Sequence, residues 1–317
     1  MPDSAEKIRL AASKAFDRWF NYIELQDGKI LAGLRETADA LTERINRLAV
    51  AGELPNSALI KLRDYLQEQT VLLRKKMTGI ITRGRIQGIS NGLMASIESM
   101  NAAMLPGRYK INIGTSFIGP DSKIRRYDAT QELFAASQWS VIQNRALSKL
   151  LATPSARVLS DRIWDVTYQA QKTIQSRIVT AIASGQSPAE LSRDIRGFLV
   201  EPNRLFRRVN VNGRLVLSRP AAAYHPGVGV YRSSYKNAMR LARTEMAQAY
   251  MQGTIAYANE KEWIDGWIWR TSGIDPCEDC LALEGKFFAK DDEPDLLHPN
   301  DMCYLELHIA ESVAVAA

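Results

Sequence analysis

Three cysteines and one histidine near the C-terminal end have the types and spacing to hold a metal. Cys277-Glu-Asp-Cys280 is followed, after seventeen intervening residues, by His298, and after four more by Cys303. Zinc takes thiolates and imidazole in a tetrahedron, and a two-residue gap lets both thiolates of one turn reach the same ion. A second pair arriving from a distant loop would close a small, core-poor subdomain. Four protein ligands leave no position for substrate, so the chemistry expected here is structural zinc binding. The plain alternative is three reduced, unliganded cysteines in a small β-domain. A redox role is set aside because the sequence shows no helix start at Cys277 that would lower a thiol pKa.

A second constellation is electrostatic. The formal charge of the 317-residue chain is +6. Between Val200 and Arg243 stand nine basic residues, Arg204, Arg207, Arg208, Arg214, Arg219, Arg232, Lys236, Arg240 and Arg243, against one acid, Glu201. That local +8 exceeds the whole, so the positive field is focused and attracts polyanions in a salt-sensitive way. Contact with DNA phosphates through Arg204, Arg207, Arg208, Arg214, Arg219, Arg232 and Lys236, helped by Tyr224, Tyr231 and Tyr235, is one reading. A solvated loop, or one docked on an acidic protein surface, is the other.

The elements that must position these groups read as mainly α, with a small α+β C-terminal part. Ile30, Leu34, Leu41, Ile45 and Leu48 recur at helical steps, with Thr37 in one slot. Ala51-Gly-Glu-Leu-Pro55 breaks the pattern. Leu59, Leu62, Leu66, Leu73, Met77 and Ile80 then form a second stripe. Such stripes need burial against each other, as an antiparallel hairpin, or against a second copy, so homo-oligomerisation through these helices is an open reading. Tyr109 to Pro120 reads as extended, and helices resume from about Ala129. Val166, Ala170, Ile174, Ile178 and Ile182 mark another helix. Ser184-Gly185 suits a helix end, and Ser187-Pro188-Ala189-Glu190 is a capping box. Val209 and Val211, then Asn212-Gly213, then Leu215 and Leu217 predict a β-hairpin. A helix follows from Ser233 or Ser234 to about Glu260, and Trp267-Ile-Trp269 and Tyr304 to Ile309 read as short strands. The expected organisation is a helical region at 1–105 and a connecting segment at 106–160. A third region at 161–310 carries a basic insertion at 202–232 and a zinc-stabilised β-subdomain at 263–309. No apolar run is long enough to span a bilayer, and no secretory signal is visible at the N-terminus. No Ser/His/Asp arrangement, phosphate-binding loop or dinucleotide fingerprint is present.

Four ordered pieces carry a resemblance. Ile182-Ala-Ser-Gly-Gln-Ser-Pro-Ala-Glu-Leu191 with Ile195-Arg196 is the first, and Ala242-Arg243-Thr244-Glu245 is the second. The third is Trp269, Asp275, Cys277, Cys280, Glu284-Gly285-Lys286 and Phe288. His298-Pro299-Asn300 is the fourth. Together, over about residues 165 to 309, they resemble the phage Mu F-like head-morphogenesis family. The resemblance implies a minor head protein of a tailed phage, located in the virion at the capsid interior or portal vertex and assembled in the host cytoplasm. It further implies association with the portal protein, with major capsid or scaffold protein as possible neighbours, and a part in head assembly and DNA packaging or ejection. It does not imply an enzyme. The family's usual ending is His-Pro-Asn-Cys-x-Cys, and here Asp301 stands at the first of those cysteines while Cys303 keeps the second. The fourth metal ligand is therefore Cys303 or Asp301. Arg243, Thr244, Glu245 and Asp275 are expected to be structural, with Arg243 and Glu245 pairing with the turns of the cysteine-bearing subdomain. Two rivals are a metal-dependent nuclease or toxin-like enzyme, the nuclease using Asp275, Asp279 and His298, and a nucleic-acid-binding zinc protein.

Overall fold

The computed structural model describes residues 4–103, 116–118, 124–126, 136–152, 159–200, 208–211, 214–217, 234–261, 264–272 and 276–309. Its helices are α1 (Ser4–Leu48), α2 (Ala58–Ala103), α3 (Ala136–Ala152), α4 (Leu159–Ala183), α5 (Pro188–Val200), α6 (Ser234–Asn259) and α7 (Glu278–Leu283). Its strands are β1 (Ser116–Ile118), β2 (Ile124–Arg126), β3 (Arg208–Val211), β4 (Arg214–Leu217), β5 (Ile264–Arg270), β6 (Phe287–Ala289) and β7 (Tyr304–Ile309). The chain is mostly helical with a small C-terminal strand region, as its periodicity predicts. None of the described helices is long and apolar enough to cross a membrane.

Two compact units share the chain. One takes Met1–Gln26, Ile81–Ala156 and Ala242–Ala317; the other takes Asp27–Ile80 and Arg157–Leu241.

In the second unit the two apolar stripes meet each other. Ile30, Leu34, Leu41 and Ile45 of α1 and Leu62, Leu66, Leu73 and Met77 of α2 are almost wholly buried. The helices run antiparallel: Gly33 lies beside Leu73, Glu36 pairs with Lys76, and the Arg44 guanidinium sits 5.5 Å over the Tyr65 ring. The burial these stripes require is thus met without a second chain. Thr37 satisfies its buried hydroxyl by donating to the Gly33 carbonyl at 3.0 Å. Ala51 and Gly52 take positive φ in the break between the helices.

The α4–α5 joint follows its local chemistry closely. Gly185 adopts φ 66°, and the Gln186 and Gly185 amides donate to the Ala181 and Ile182 carbonyls, closing the end of α4. The Ser187 and Glu190 side chains cap each other's backbone N–H reciprocally at 3.3 Å. Arg177 then clasps Asp194 across the joint. Strands β3 and β4 form the expected antiparallel hairpin, with Val211 opposite Arg214 and Arg208 opposite Leu217. The Asn212-Gly213 turn lies outside the described residues, as does most of the extended stretch expected from Tyr109 to Pro120; β1 falls within that stretch and pairs antiparallel with β2, which lies beyond it.

In the first unit the sheet order is β6-β5-β7, all antiparallel. Trp267 and Trp269 of β5 are fully buried, with Phe288 and Leu307 opposite Trp267 and Leu305 opposite Trp269. Strand β6 carries no alternation of its own in the sequence; pairing with β5 makes it a strand. The opening turns of α1 pack on this unit through rings: Phe16 stacks on Tyr304 at 4.7 Å, and Trp19 on Tyr250 at 5.7 Å.

The tightest packing is between α2 and α6. A Cβ on Gly92 would lie 2.0 Å from the Tyr250 carbonyl oxygen, and one on Gly253 would lie 2.3 Å from that of Ile89. With Gly88 also against Met246 and Ala249, the two backbones touch directly. Beside them the buried Arg85 and Glu245 form an ion pair at 3.6 Å.

Candidate metal centre

Cys277 is the N-cap of α7, in extended conformation, and its Sγ accepts a hydrogen bond from the Cys280 backbone N–H. This corrects the expectation that no helix starts at Cys277: one does, hidden in the sequence because α7 is only six residues long and its cap is itself a cysteine. That N–H, then the Cys280 thiol, then His298 hold the Cys277 thiol below its ordinary pKa against the cost of burial. Burial, followed by the neighbouring Cys277, pushes the Cys280 thiol up to about 11. Cys303 is raised as well, by burial first and Asp301 next.

His298 Nε2 lies 3.2 Å from Cys277 Sγ and 3.4 Å from Cys280 Sγ. Its Nδ1 is 3.1 Å from the Pro299 carbonyl oxygen. A carbonyl can only accept, so Nδ1 carries the proton and Nε2 is the atom turned to the sulphurs. Burial works against the charged imidazole, but the Pro299 carbonyl and then Cys277 outweigh it and raise the His298 pKa.

The donors gather as two overlapping threes. Cys277, Cys280 and His298 form one group, and Cys280, Asp301 and Cys303 the other, with ligand atoms in each within 4.8 Å of one another. Cys280 belongs to both. Two thiol sulphurs and an oriented imidazole nitrogen are donors of the types that suit zinc, and the second group shares Cys280 with them. Asp279, a member of the rival nuclease set, is exposed on α7, and Asp275 lies outside the described residues.

The motif residues around this centre have visible tasks. Thr244 on α6 accepts the Asn300 backbone N–H at 2.8 Å, so α6 holds the His298-Pro299-Asn300 turn. Asn300 sits at φ 69°, a left-handed conformation that asparagine tolerates better than most residues. Glu245 pairs with Arg85 of α2, so Thr244 is the member of Arg243-Thr244-Glu245 seen holding a turn of the cysteine-bearing segment. Arg243 is half-buried on the same helix. Gly285 needs its φ of 78°, and its N–H donates to the Trp269 carbonyl while the Trp269 N–H donates to Lys286. Glu284 accepts from the Thr271 backbone N–H at 2.6 Å and from Arg270, whose Nε reaches the buried Glu306 at 2.6 Å. Arg270 and Glu306 were legible only as opposite charges within two apolar strands.

Burial disfavours the Glu284 carboxylate, but Thr271 and Arg270 outweigh it and hold its pKa below the ordinary 4.5. A depressed carboxylate contributes stability above its unfolded value, and that contribution drains away as pH falls through the folded one. The thermal midpoint of the sheet-containing unit is therefore expected to fall with acidification below pH 4.5. The slope should be flatter in Glu284→Gln, as a melt series at stepped pH would show.

Of the basic set, Arg204, Arg207, Arg219 and Arg232 lie outside the described residues, and Arg208 and Arg214 are placed by backbone on β3 and β4. Lys236 lies in the first turn of α6.

Residues 172–304 match the model of the family described as Phage Mu protein F like protein, less than half of the chain. The resemblance carried by the four motif pieces therefore holds over that span, which contains every candidate metal ligand. It connects the C-terminal part of the chain to phage head morphogenesis. No curated protein and no solved structure matches the chain.

Proposed function

We propose that this chain is a minor head protein of a tailed phage that binds the portal protein and serves head assembly and DNA packaging or ejection. The observation that carries the proposal is the match over residues 172–304, whose span runs from α4 to the start of β7 and encloses the cysteine and histidine cluster. In this reading the chain is a structural part of the virion, at the capsid interior or portal vertex, and not an enzyme. A single zinc ion held by Cys277, Cys280, His298 and one of Cys303 or Asp301 stabilises the cysteine-bearing segment beside the β5–β7 sheet. The Arg204–Lys236 segment contacts DNA phosphates.

Co-expression with the portal protein of the same phage tests the central claim. A stable complex, and presence of the chain in purified heads, is the expected result; absence from both sinks it. DNA contact predicts duplex binding that weakens steeply with salt. It should weaken less steeply when Arg204, Arg207, Arg208 and Arg214 are neutralised together, because each lost phosphate contact reduces the slope by roughly one. DNA cleavage surviving Cys277→Ser and abolished by Asp275→Ala would replace the structural reading with a nuclease.

A further inference from the structure

The buried acid of the cysteine-bearing loop is Asp301, 1% exposed. Its Oδ1 accepts the backbone N–H of Cys303 at 2.8 Å, and its Oδ2 accepts that of Leu297 at 3.1 Å. Both oxygens are thus engaged by amides, and the two amides are placed tellingly. One belongs to Cys303 itself, and the other to the residue directly before His298. The Asp301 N–H also donates to the His298 carbonyl at 3.1 Å, closing the turn between them. A carboxylate so held fixes the backbone on both sides of the last two ligand positions. The Cys280 thiol also donates to Asp301 Oδ1 at 3.8 Å, so the carboxylate ties the loop to a third candidate ligand. Cys303 Sγ and the Asp301 carboxylate both lie in one group of donors with Cys280, and of the two the thiolate is the softer donor, the type that selects zinc.

We propose that Asp301 is a positioning residue that binds the two ligand-bearing ends of the 297–303 loop, and that Cys303 is the fourth ligand, giving a three-sulphur, one-nitrogen site. This rests on the metal reading above. It also explains how the chain keeps a competent loop where the family's usual cysteine is missing. The substituted carboxylate shapes the turn, and the second cysteine of that ending supplies the donor.

Cobalt titration of the full chain separates the roles, because sulphur-to-cobalt charge transfer reports the number of thiolates and the visible ligand-field bands report the donor set. Cys303→Ser is expected to lower the charge-transfer intensity at saturation to about two thirds, as three thiolates become two. Asp301→Asn is expected to leave the saturated spectrum unchanged while weakening cobalt and zinc affinity about 10- to 100-fold, the effect of losing a group that orients ligands. In the metal-free protein the same variant should exchange the Leu297 and Cys303 amides faster than wild type, a reading that does not depend on metal uptake. A changed saturated spectrum in Asp301→Asn, with full charge-transfer intensity in Cys303→Ser, makes Asp301 the ligand and overturns the proposal. A wild-type chain that takes up neither cobalt nor zinc sinks the metal reading itself, and this inference with it.

Discussion

Cys280→Ser is expected to strip the chain of its metal and to unfold the β5–β7 sheet region at temperatures the wild type survives. Cys280 is the one residue common to both groups of donors, and it is 2% exposed within the cluster that contains Trp267, Trp269, Phe288 and Leu305. A serine oxygen is a poor zinc donor at neutral pH and leaves a polar atom facing apolar neighbours. Binding of a structural zinc is folding free energy in a small metal subdomain, on the order of 10 kcal/mol in peptide models. Loss of one central thiolate should therefore remove most of it. Elemental analysis after dialysis should read one zinc per chain for wild type and none for the variant, with the near-ultraviolet tryptophan signal lost first on heating. Wild-type metal content near zero would mean that the sheet stands on packing alone, and the substitution should then cost only about 1–3 kcal/mol, as for a buried polar replacement.

Among the described glycines, Gly92→Ala should be the most damaging methyl addition. The added carbon would sit 2.0 Å from the Tyr250 carbonyl oxygen and 2.9 Å from the Thr254 nitrogen, both backbone atoms of a helix that cannot swing aside. The helices must separate, and with them go the edge-to-face contact of Tyr250 with Phe16 and its stack on Trp19. A loss of about 3 kcal/mol or more is expected, at the upper end of the range for overpacking. Gly28→Ala is the matched control. It lies in mid-helix with nothing within 4 Å of the new carbon, and it should stabilise by about 0.5–1 kcal/mol. Urea unfolding of the two variants beside wild type should show midpoints displaced in opposite directions. Equal midpoints would mean that α2 and α6 do not approach as closely as the structure shows.

Features whose physics is local were legible in the chain. The reciprocal bonds of Ser187 and Glu190 follow from a four-residue pattern, and the Val209–Leu217 hairpin follows from alternation around Asn-Gly. The Cys277–Cys280 turn carries its chemistry in its spacing. What escaped was set by distance along the chain. The partner seen for Glu245 is Arg85, on a helix formed far earlier, and no periodicity links them. Strand β6 exists because β5 offers an edge, not because Phe287-Phe-Ala289 alternates. The role of Asp301 depends on two backbone amides, which are invisible in any reading of side-chain types. The stripes of α1 and α2 were readable as apolar faces, but only the structure shows them buried against each other.

The composition of the sheet-containing unit also bears on how the protein is made. It draws on Met1–Gln26 at one end of the chain and on Ala242–Ala317 at the other. During synthesis, therefore, Phe16 and Trp19 leave the ribosome long before Tyr250 and Tyr304 exist to cover them. The α1–α2 hairpin of the other unit can close much earlier, since its helices are joined by a short turn. The early aromatic residues must wait exposed, a state prone to association at high expression. A fragment cut at the limits of the matched segment would be worse placed still, because it would carry Gly253 and the Tyr250 ring without the α2 backbone or the α1 rings that normally meet them.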